Sequence, residues 1–359
     1  MQETRKYAII GCGMMGREHM RNIALVDGAE LVAIADPHAP SQESALALAG
    51  ALNQSITCYA QAEEMMTAQK PDAVIIAAPN HTHFDIAQQV MAHDVAILLE
   101  KPMCTTVSDA QKLHALQGDY APLFWVGLEY RYMPPVTRFV ERVHSGETGP
   151  VKMLSIREHR FPFLTKVGDW NRFSVNTGGT LVEKCCHFFD LMCHILQDEP
   201  VQIYASGGQD VNHLDEVYDG EKSDILDNAY VIVDFAAGAR ATLDLCMFAE
   251  GAEQQEEIYA LGGTGKLEVK IPAAEITWSP RSKTGTLTEF VETPKAAMEA
   301  GDHHGASFYQ ISHFHCALVE GGAPAVTSFD GLRSVQMGAA AHQSIETGQP
   351  VSLDVKTML

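Results

Sequence analysis

The segment Tyr7-Ala-Ile-Ile-Gly-Cys-Gly-Met-Met-Gly16 decides the fold of the first half of this chain. Its four leading residues form an apolar, β-rich run, and three glycines follow directly, before a stretch with helical period. Glycines at this spacing allow a strand to turn tightly into a helix whose N-terminal N–H groups face a pyrophosphate. The three glycines alone also fit an ordinary tight turn, so the flanking sequence has to decide between the two interpretations.

Asp36 supplies the second part of a dinucleotide-binding pattern. It follows the second predicted strand and lies about 20 residues beyond the glycines. A carboxylate at this place accepts hydrogen bonds from a ribose 2′-OH and repels a 2′-phosphate. The order of strand, glycines, helix and acid therefore predicts dinucleotide binding, with NAD preferred over NADP.

Short apolar runs continue to alternate with stretches of helical period as far as Trp125. The predicted strands are residues 7–10, 31–34, 73–77, 95–99 and 123–126. Helices are predicted at residues 15–26 and 84–93, and Thr105 or Thr106 is expected to cap a further helix that ends before Gly118. This rhythm predicts an α/β domain over residues 1–126, a Rossmann domain whose doubly wound parallel sheet carries helices on both faces.

The pattern changes after Pro134. A helix is predicted up to His144, and alternating strands follow, such as residues 151–159 and a hairpin around Gly238. Residues 331–347 have helical spacing and are followed by Gly348, a plausible C-cap. The sequence thus predicts a C-terminal α+β domain over residues 127–359, with a large, mostly antiparallel open sheet.

Composition excludes several classes of protein. The 359 residues are 46% hydrophobic and 20% charged, as in ordinary globular proteins of about two domains. Acidic residues outnumber basic ones by 46 to 25, and no Lys/Arg-rich run is present, so we expect no nucleic-acid partner. No apolar run reaches membrane-spanning length, and we expect a soluble, cytoplasmic protein without a membrane partner. The eight cysteines contain no C-x-x-C pair and are expected to be reduced.

Three further motifs give the chain its most specific resemblance. They are Ala77-Ala-Pro-Asn-His-Thr-His83, Glu100-Lys-Pro102, and Gly178-Gly-Thr-Leu-Val-Glu-Lys-Cys-Cys-His-Phe-Phe-Asp190 preceded by Asp169-Trp-Asn-Arg172. With these motifs in order, the chain resembles the Gfo/Idh/MocA oxidoreductases over nearly its whole length. The resemblance implies an NAD(P)-dependent dehydrogenase that oxidises a secondary hydroxyl of a sugar, polyol or inositol.

The resemblance, together with the glycine motif, also implies the cofactor contacts. These are Gly11, Gly13, Met14, Met15, Gly16, Asp36, Ala78, Pro79, Asn80, His83, Glu100, Lys101 and Pro102. The side chains of Met14 and Met15 are themselves expected in the core, because methionine more often fills apolar space than contacts a ligand.

Lys101 and His187 are the expected catalytic residues. By resemblance, Lys101 hydrogen-bonds the reacting hydroxyl, and an ammonium beside a departing proton lowers the cost of deprotonation. A neutral imidazole can take that proton at neutral pH, which makes His187 the expected general base. On one helix Glu183, His187 and Asp190 share a face, so Glu183 is expected to assist. Relatives usually carry Asp where this chain has Glu183, which puts its role in doubt.

Further residues are expected to contact the substrate. Some of them are equally well explained as polar side chains that simply face solvent. By position in relatives or by local polarity they are Tyr130, Arg131, Trp170, Arg172, His187, Asp190, His303 and His304. Cys185, Cys186, His187, Asp190 and His194 can also be read as metal ligands, but their spacing matches no closed zinc site, so no metal is expected.

Two other functions remain open at this point. Relatives of this type include glycosidases that oxidise a sugar carbon transiently and recycle NAD, and repressor-like proteins that bind a dinucleotide as a signal. A sensor is expected to lose the lysine or the histidine, and both are present here. The open sheet of the second domain further predicts a homo-oligomer, a dimer or a tetramer.

Overall fold

A computed structural model describes residues 4–282 and 285–353 of the chain. The described residues form two compact units, each built from two separate stretches of sequence. Unit 1 contains the residues up to Tyr132 and Pro294–Leu332, and unit 2 contains Met133–Thr293 and the residues from Arg333 onward. Unit 1 therefore includes a segment from late in the sequence. A functional division at residue 126 stays a prediction.

Strands and helices alternate through the first part of unit 1. They are β1 (Arg5–Ile10), α1 (Met14–Ile23), β2 (Ala29–Ala35), α2 (Ala39–Ala51), β3 (Thr57–Tyr59), α3 (Ala62–Gln69), β4 (Ala73–Ile76), α4 (His83–Val90), β5 (Ala96–Glu100), α5 (Val107–Gly118) and β6 (Phe124–Gly127). The strands form one parallel sheet in the order β3-β2-β1-β4-β5-β6. This confirms the predicted doubly wound sheet, whose strand order reverses between β1 and β4.

The reversal brings the ends of β1 and β4 next to each other. In such sheets ligands bind beyond the carboxyl ends of the strands, at the point where the order reverses. The residues of β4 and β5 are all buried, as expected for strands covered on both faces. The sequence analysis did not predict β3. This strand has only three residues and is not buried, so its sequence lacks the apolar run that would have indicated it.

The rest of the chain contributes mainly strands. In order, its elements are α6 (Pro134–His144), β7 (Val151–His159), α7 (Ser174–Thr177), α8 (Thr180–Glu183), α9 (Cys186–Leu196), β8 (Pro200–Gly208), β9 (Val217–Tyr218), β10 (Glu221–Lys222), β11 (Asn228–Phe235), β12 (Arg240–Cys246), β13 (Glu256–Gly262), β14 (Gly265–Ile271), β15 (Glu275–Pro280), β16 (Leu287–Phe290), α10 (Lys295–Glu299), α11 (Ala306–Glu320), α12 (Ser328–Thr347) and β17 (Val351–Ser352). Unit 1 includes α10 and α11, and the division between the units falls within α12.

Unit 2 is built on a nine-stranded sheet in the order β16-β15-β14-β13-β7-β12-β11-β8-β17. Neighbouring strands are antiparallel except for β7 and β12, which are parallel. This confirms the predicted large, mostly antiparallel sheet. One face packs against helices, with α6 on β14 and β15 and α9 on β7. Alternate residues of the central strands are buried on that face and exposed on the other.

Two helix ends confirm the capping residues read from the sequence. The hydroxyl of Thr106 accepts a hydrogen bond from the Asp109 N–H at 3.1 Å, so Thr106 rather than Thr105 caps α5. At the end of α12, Gly348 has a φ of 66° and its N–H donates to the Ser344 carbonyl at 2.8 Å. None of the helices in the described ranges has the length and apolar character needed to cross a bilayer.

The α5 cap makes a local prediction. Replacing Thr106 with Ala removes one acceptor for the first-turn N–H groups, which typically costs ~1 kcal/mol. Hydrogen exchange of the α5 amides should become about fivefold faster, because exchange reports local opening. Thr105→Ala is the matched control and should leave exchange unchanged. Equal acceleration by both changes would contradict the assignment of the cap to Thr106.

Candidate cofactor and active site

The glycine turn between β1 and α1 has the form that a dinucleotide requires. Gly11 has a φ of 93°, and a Cβ there would lie 2.5 Å from the Ala77 carbonyl oxygen. A Cβ on Gly16 would lie 2.0 Å from the Gly11 carbonyl oxygen, so only glycine fits at either place. Gly13 faces open space and caps α1 without a side-chain hydrogen bond. The first N–H groups of α1 would thus face the pyrophosphate of a bound dinucleotide, and the residues present fit NAD.

Asp36 stands at the carboxyl end of β2 beside this turn. Its carboxylate accepts hydrogen bonds from the Cys12 N–H at 2.6 Å and from the His38 N–H at 2.8 Å. Each carboxylate oxygen has a second lone pair, so Asp36 retains acceptor capacity for a ribose hydroxyl. The two backbone bonds hold its negative charge in place, which supports the prediction that Asp36 disfavours a 2′-phosphate.

His83 links the loop after β4 to the loop after β5. Its Nδ1 lies 2.8 Å from the Pro102 carbonyl oxygen and its Nε2 lies 3.0 Å from the Ala78 carbonyl oxygen. Burial lowers the pKa of His83, so the ring is neutral and donates to one carbonyl at a time. Nearby, the buried Asn80 has no hydrogen-bond partner for its Nδ2 within the described residues. Both predicted cofactor loops are therefore held against each other.

Glu100 is buried at the end of β5, immediately before Lys101. One carboxylate oxygen accepts the Lys101 N–H at 3.2 Å, and the other lies 2.7 Å from His19 Nε2 on α1. Burial opposes ionisation, but the hydrogen bond and charge of His19, together with the charge of Lys101, lower the pKa of Glu100. Burial likewise disfavours charge on His19, but its bond to Glu100 and the charges of the nearby glutamates raise its pKa. The two side chains form a buried ion pair.

A second buried cluster lies beside this pair in unit 1, formed by Glu18, Glu129, Ser307 and His303. His303 Nδ1 lies 2.9 Å from Glu18 Oε1, and Ser307 Oγ bonds both carboxylates, at 2.6 Å from Glu18. Burial favours the protonated form of Glu18, but its bonds to His303 and Ser307 lower its pKa to about 2. Burial, together with the charges of Glu100 and Glu18, raises the pKa of Glu129. The hydroxyl of Ser307 lies within hydrogen-bond distance of both carboxylates and links them.

This cluster also contains a set of possible metal ligands. Among the described residues, Glu18, Glu129 and His303 place their ligand atoms within 4.8 Å of one another. The ring of His303 and the hydroxyl of Ser307 already bond these carboxylates. The internal hydrogen bonds account for the arrangement without an ion.

His187 and Asp190 lie in unit 2, on α9, and both are buried. The single helix predicted for Glu183, His187 and Asp190 is wrong in its first part, because Glu183 ends the short helix α8 and a turn at residues 184–185 separates it from α9. Two glycines with positive φ precede α8, and a Cβ on Gly179 would lie 2.4 Å from His342 Nε2, so a residue distant in sequence also shapes the backbone here. The spacing of His187 and Asp190 on one helix is retained.

The turn before α9 carries a charged cluster that the sequence analysis missed. Lys184 Nζ lies 2.9 Å from Glu158 Oε1, and both side chains are buried. Glu256 lies close to Glu158 and accepts a bond from Gln255 Nε2 at 2.7 Å. Burial and the charge of Glu158 raise the pKa of Glu256 to about 8. Burial and the charge of Arg160 lower the pKa of Lys184. The cluster thus holds a proton on Glu256 at neutral pH.

Several predicted substrate residues are held by neighbours in their own unit. Arg131 pairs with Asp330 at 3.1 Å, and Arg172 pairs with Glu216 at 3.1 Å. Tyr130 is buried. The structure describes the remaining members too, Trp170 in a short 3₁₀ segment of unit 2 and His304 in unit 1 with a φ of 53°. Their contact with a substrate stays a prediction.

Two family models match this chain, one for each kind of domain. Residues 5–128 match "Oxidoreductase family, NAD-binding Rossmann fold", and residues 140–353 match "Oxidoreductase family, C-terminal alpha/beta domain". The chain belongs to the Gfo/Idh/MocA oxidoreductase family. Its N-terminal domain is therefore an NAD-binding Rossmann domain, and the protein is an oxidoreductase.

Individual members of the family are distant from this chain. Rhizopine catabolism protein MocA of Rhizobium meliloti is 29% identical over 195 residues, which are 54% of this chain and 58% of that protein. The inositol 2-dehydrogenase of Rhizobium meliloti (strain 1021) is 25% identical over 352 residues, 98% of this chain and 99% of that protein. Levoglucosan dehydrogenase in complex with NADH superposes with a TM-score of 0.86 at 18% identity, covering 98% of this chain and 100% of that chain. The last likeness concerns the fold alone.

Some buried charges of this Gfo/Idh/MocA protein had a signal in the sequence. In β7, Leu154, Ile156 and Glu158 alternate with residues that are only partly buried, so the glutamate occupies a position of the apolar face. Glu256 precedes Ile258 in the same way on β13. A carboxylate at an apolar position of a strand indicates a buried charge that needs a partner.

The expectation that Met14 lies in the core is wrong, because its side chain is 37% exposed on the first turn of α1.

The raised pKa of Glu256 gives the stability of this family member a pH dependence. Its folded pKa of about 8 exceeds the unfolded value of 4.5, so the folded state binds the extra proton. The stabilisation is complete below the unfolded pKa and is lost as the pH rises through the folded one. We expect the wild-type melting temperature to fall between about pH 5 and 8 relative to that of Glu256→Gln. Glu253→Gln, at an exposed position, is the control. Parallel melting curves for wild type and Glu256→Gln would contradict the assignment.

Proposed function

We propose that this oxidoreductase oxidises a secondary hydroxyl of a sugar, polyol or inositol and prefers NAD to NADP. The observation that carries the proposal is the bonding of the Lys101 turn to the nucleotide-binding elements. Glu100 bonds His19 on α1, and Pro102 bonds His83 at the start of α4. A cation is thereby held at the carboxyl edge of the sheet, where cofactor and substrate meet in this fold. The alignment with an inositol 2-dehydrogenase over 98% of the chain supports the substrate class.

Lys101 would act on the oxygen of the reacting alcohol. When bound, NAD⁺ supplies a hydride acceptor, held by the glycine turn, Asp36 and the loop that begins at Ala78. As the hydroxyl loses its proton, negative charge develops on the oxygen, and a preorganised ammonium stabilises that charge. The half-buried position of Lys101 limits the water that would otherwise screen this interaction.

His187 would remove the hydroxyl proton. A neutral imidazole accepts a proton at neutral pH, and a nearby carboxylate stabilises the imidazolium that forms. Asp190 follows His187 by three residues on α9, the spacing at which side chains of a helix are neighbours. We therefore assign the supporting role to Asp190 before Glu183, which ends a separate helix.

The predicted substrate contacts divide into two kinds under this proposal. Arg131 and Arg172 each pair with a carboxylate in their own unit, so they would hold loops in place. Trp170, His303 and His304 are only partly buried and remain the candidates for contact with sugar hydroxyls. Specificity for one sugar would depend on a few such side chains.

The first prediction of this proposal concerns turnover. We expect NADH to form from NAD⁺ with at least one alcohol of a panel containing myo-inositol, scyllo-inositol, D-glucose and a methyl glucoside, measured by absorbance. NADP⁺ should support a lower kcat/KM. Lys101→Ala should lower kcat by at least about a hundredfold, since lost oxyanion stabilisation typically has this effect, while NADH affinity is retained.

Lys295→Ala is the matched control for that experiment, because Lys295 is exposed and pairs with Glu299. Full activity of Lys101→Ala would exclude the proposed role of Lys101. Hydrolysis of the methyl glucoside without net NADH would instead indicate the NAD-recycling glycosidase. NADH binding without any turnover on the panel would favour a sensor.

We also propose that the protein forms a homo-oligomer through the exposed face of the unit 2 sheet. On β8 and β11, Tyr204, Tyr230 and Ile232 point to the face opposite the helices and are 43%, 68% and 46% exposed. Tyr204 and Ile232 are cross-strand partners, so the apolar surface is continuous. Exposed apolar patches of this kind favour self-association.

A charge in this patch should separate the subunits. We expect wild type to sediment as a dimer or tetramer and Tyr230→Arg to shift toward monomer, because burying an unpaired charge is costly. Val217→Arg, at an exposed apolar residue outside the large sheet, should leave the sedimentation coefficient unchanged. A monomeric wild type at micromolar concentration would refute the oligomer.

A further inference from the structure

The buried pair of His19 and Glu100 joins the nucleotide-binding helix α1 to the backbone of Lys101. His19 follows the last glycine of the turn by three residues and is fully buried. Its Nε2 lies 2.7 Å from Glu100 Oε1, and Glu100 Oε2 accepts the Lys101 N–H at 3.2 Å. A single carboxylate therefore connects a helix side chain with the peptide group that orients Lys101.

The surroundings leave the Glu100 carboxylate little freedom to move. A Cβ on Gly127 of β6 would lie 3.2 Å from Glu100 Oε1, so this side of the carboxylate is closed by backbone. On the other side is His19, whose Nδ1 has no hydrogen-bond partner within the described residues. The carboxylate orientation thus depends on the Nε2 bond, because within the described part of the chain its other hydrogen bond comes from a backbone N–H.

Charges from three elements surround the His19 ring. Glu18 lies on the same helix, Glu100 ends β5, and Glu129 follows β6. Beyond Glu18 lies His303, and beyond Glu100 lies the ammonium of Lys101. The glutamates raise the pKa of His19 above its usual value, which favours the charged form of the ring beside Glu100. The imidazolium offsets a negative charge that would otherwise face Lys101 alone.

We propose that His19 is a positioning residue for Lys101, acting through Glu100; the catalytic role of Lys101 rests on the function proposed above. His19 fixes the carboxylate, and the carboxylate fixes the Lys101 peptide. Without His19, the buried carboxylate loses its hydrogen-bond partner and its charge acts more strongly on Lys101, whose own charge already lowers the pKa of Glu100. Binding of NAD by the glycine turn does not depend on this chain of contacts.

Two variants separate the hydrogen bond from simple packing. His19→Gln retains an N–H donor close to the place of Nε2, and His19→Leu fills similar space without a donor. His93→Leu is the matched control, since His93 bonds Glu63 at 3.2 Å on the surface of the same unit. For each full-length protein, NADH affinity is measured by fluorescence and the fold is monitored by the melting temperature. The kcat and KM are measured with NAD⁺ and the panel alcohol that wild type oxidises fastest.

A second measurement requires no turnover. Lys101 is labelled competitively with 1-fluoro-2,4-dinitrobenzene between about pH 8 and 11, the range in which lysine titrates, and its peptide is quantified by mass spectrometry. We expect the labelling midpoint of Lys101 to rise in His19→Leu, because the uncompensated Glu100 charge stabilises the ammonium. The midpoint should not change in His93→Leu.

For turnover, we expect His19→Leu to lower kcat about tenfold or more, the usual effect of losing a hydrogen bond to a charged group, with KM and NADH affinity nearly unchanged. His19→Gln should restore most of kcat. A Lys101 labelling curve in His19→Leu that superimposes on that of wild type would overturn the proposal. Equal loss of kcat, NADH affinity and melting temperature in both His19 variants would also overturn it, since that indicates a purely structural role. A wild type that oxidises no panel alcohol refutes the proposed function, and the labelling result still decides the role of His19.

Discussion

The contact between the Gly11 turn and the Ala77 carbonyl is the constraint on which the rest of unit 1 depends. Two parallel strands that adjoin in the sheet, β1 and β4, send their loops to the same edge, and the backbones meet with no space for a side chain. This close approach places the first N–H groups of α1 beside the loop that contains Asn80 and His83. His83 then ties this loop to the Lys101 turn. This close approach of two backbone segments at one edge of the sheet thus fixes the position of the cofactor-binding turn relative to the proposed catalytic lysine.

Buried charge accompanies this geometry in both units. In unit 1, three glutamates and two histidines lie close together, and the structure stabilises them by pairing and by the bridging hydroxyl of Ser307. In unit 2, Lys184 bonds Glu158 while Glu256 holds a proton. Such groups are costly to bury unless they are hydrogen-bonded, so each cluster makes its surroundings rigid and specific. Lys184 lies just before α9, the helix that contains His187. His19 bonds Glu100, the residue that precedes Lys101. Each proposed catalytic residue is therefore close in sequence, or linked by hydrogen bonds, to a cluster of buried charged side chains.

Much of the fold was predictable because its signals are local. Apolar runs that alternate with helical stretches indicate a parallel sheet, and the glycines, the Thr106 cap and the Gly348 end are each recognised by a few neighbouring residues. The short strand β3 and the break between α8 and α9 were not predicted. The first lacks an apolar run, and the second arises because two glycines and His342, distant in sequence, shape the backbone before Lys184. Contacts between distant residues leave no periodic mark in the sequence.

The sequence alone determined that this protein has a dinucleotide-binding N-terminal domain, a second domain with an antiparallel sheet, and the motifs of an oxidoreductase family, now confirmed. It also named Lys101 and His187, whose roles remain predictions. Only the tertiary structure decided which residues surround them. His19, Glu129 and Ser307 come from segments far apart in the chain, and they meet because α11 packs against both α1 and the segment Glu129–Tyr132. Sequence patterns describe what each residue does along its own strand or helix, whereas the pairing of buried charges depends on distances that only the folded chain establishes.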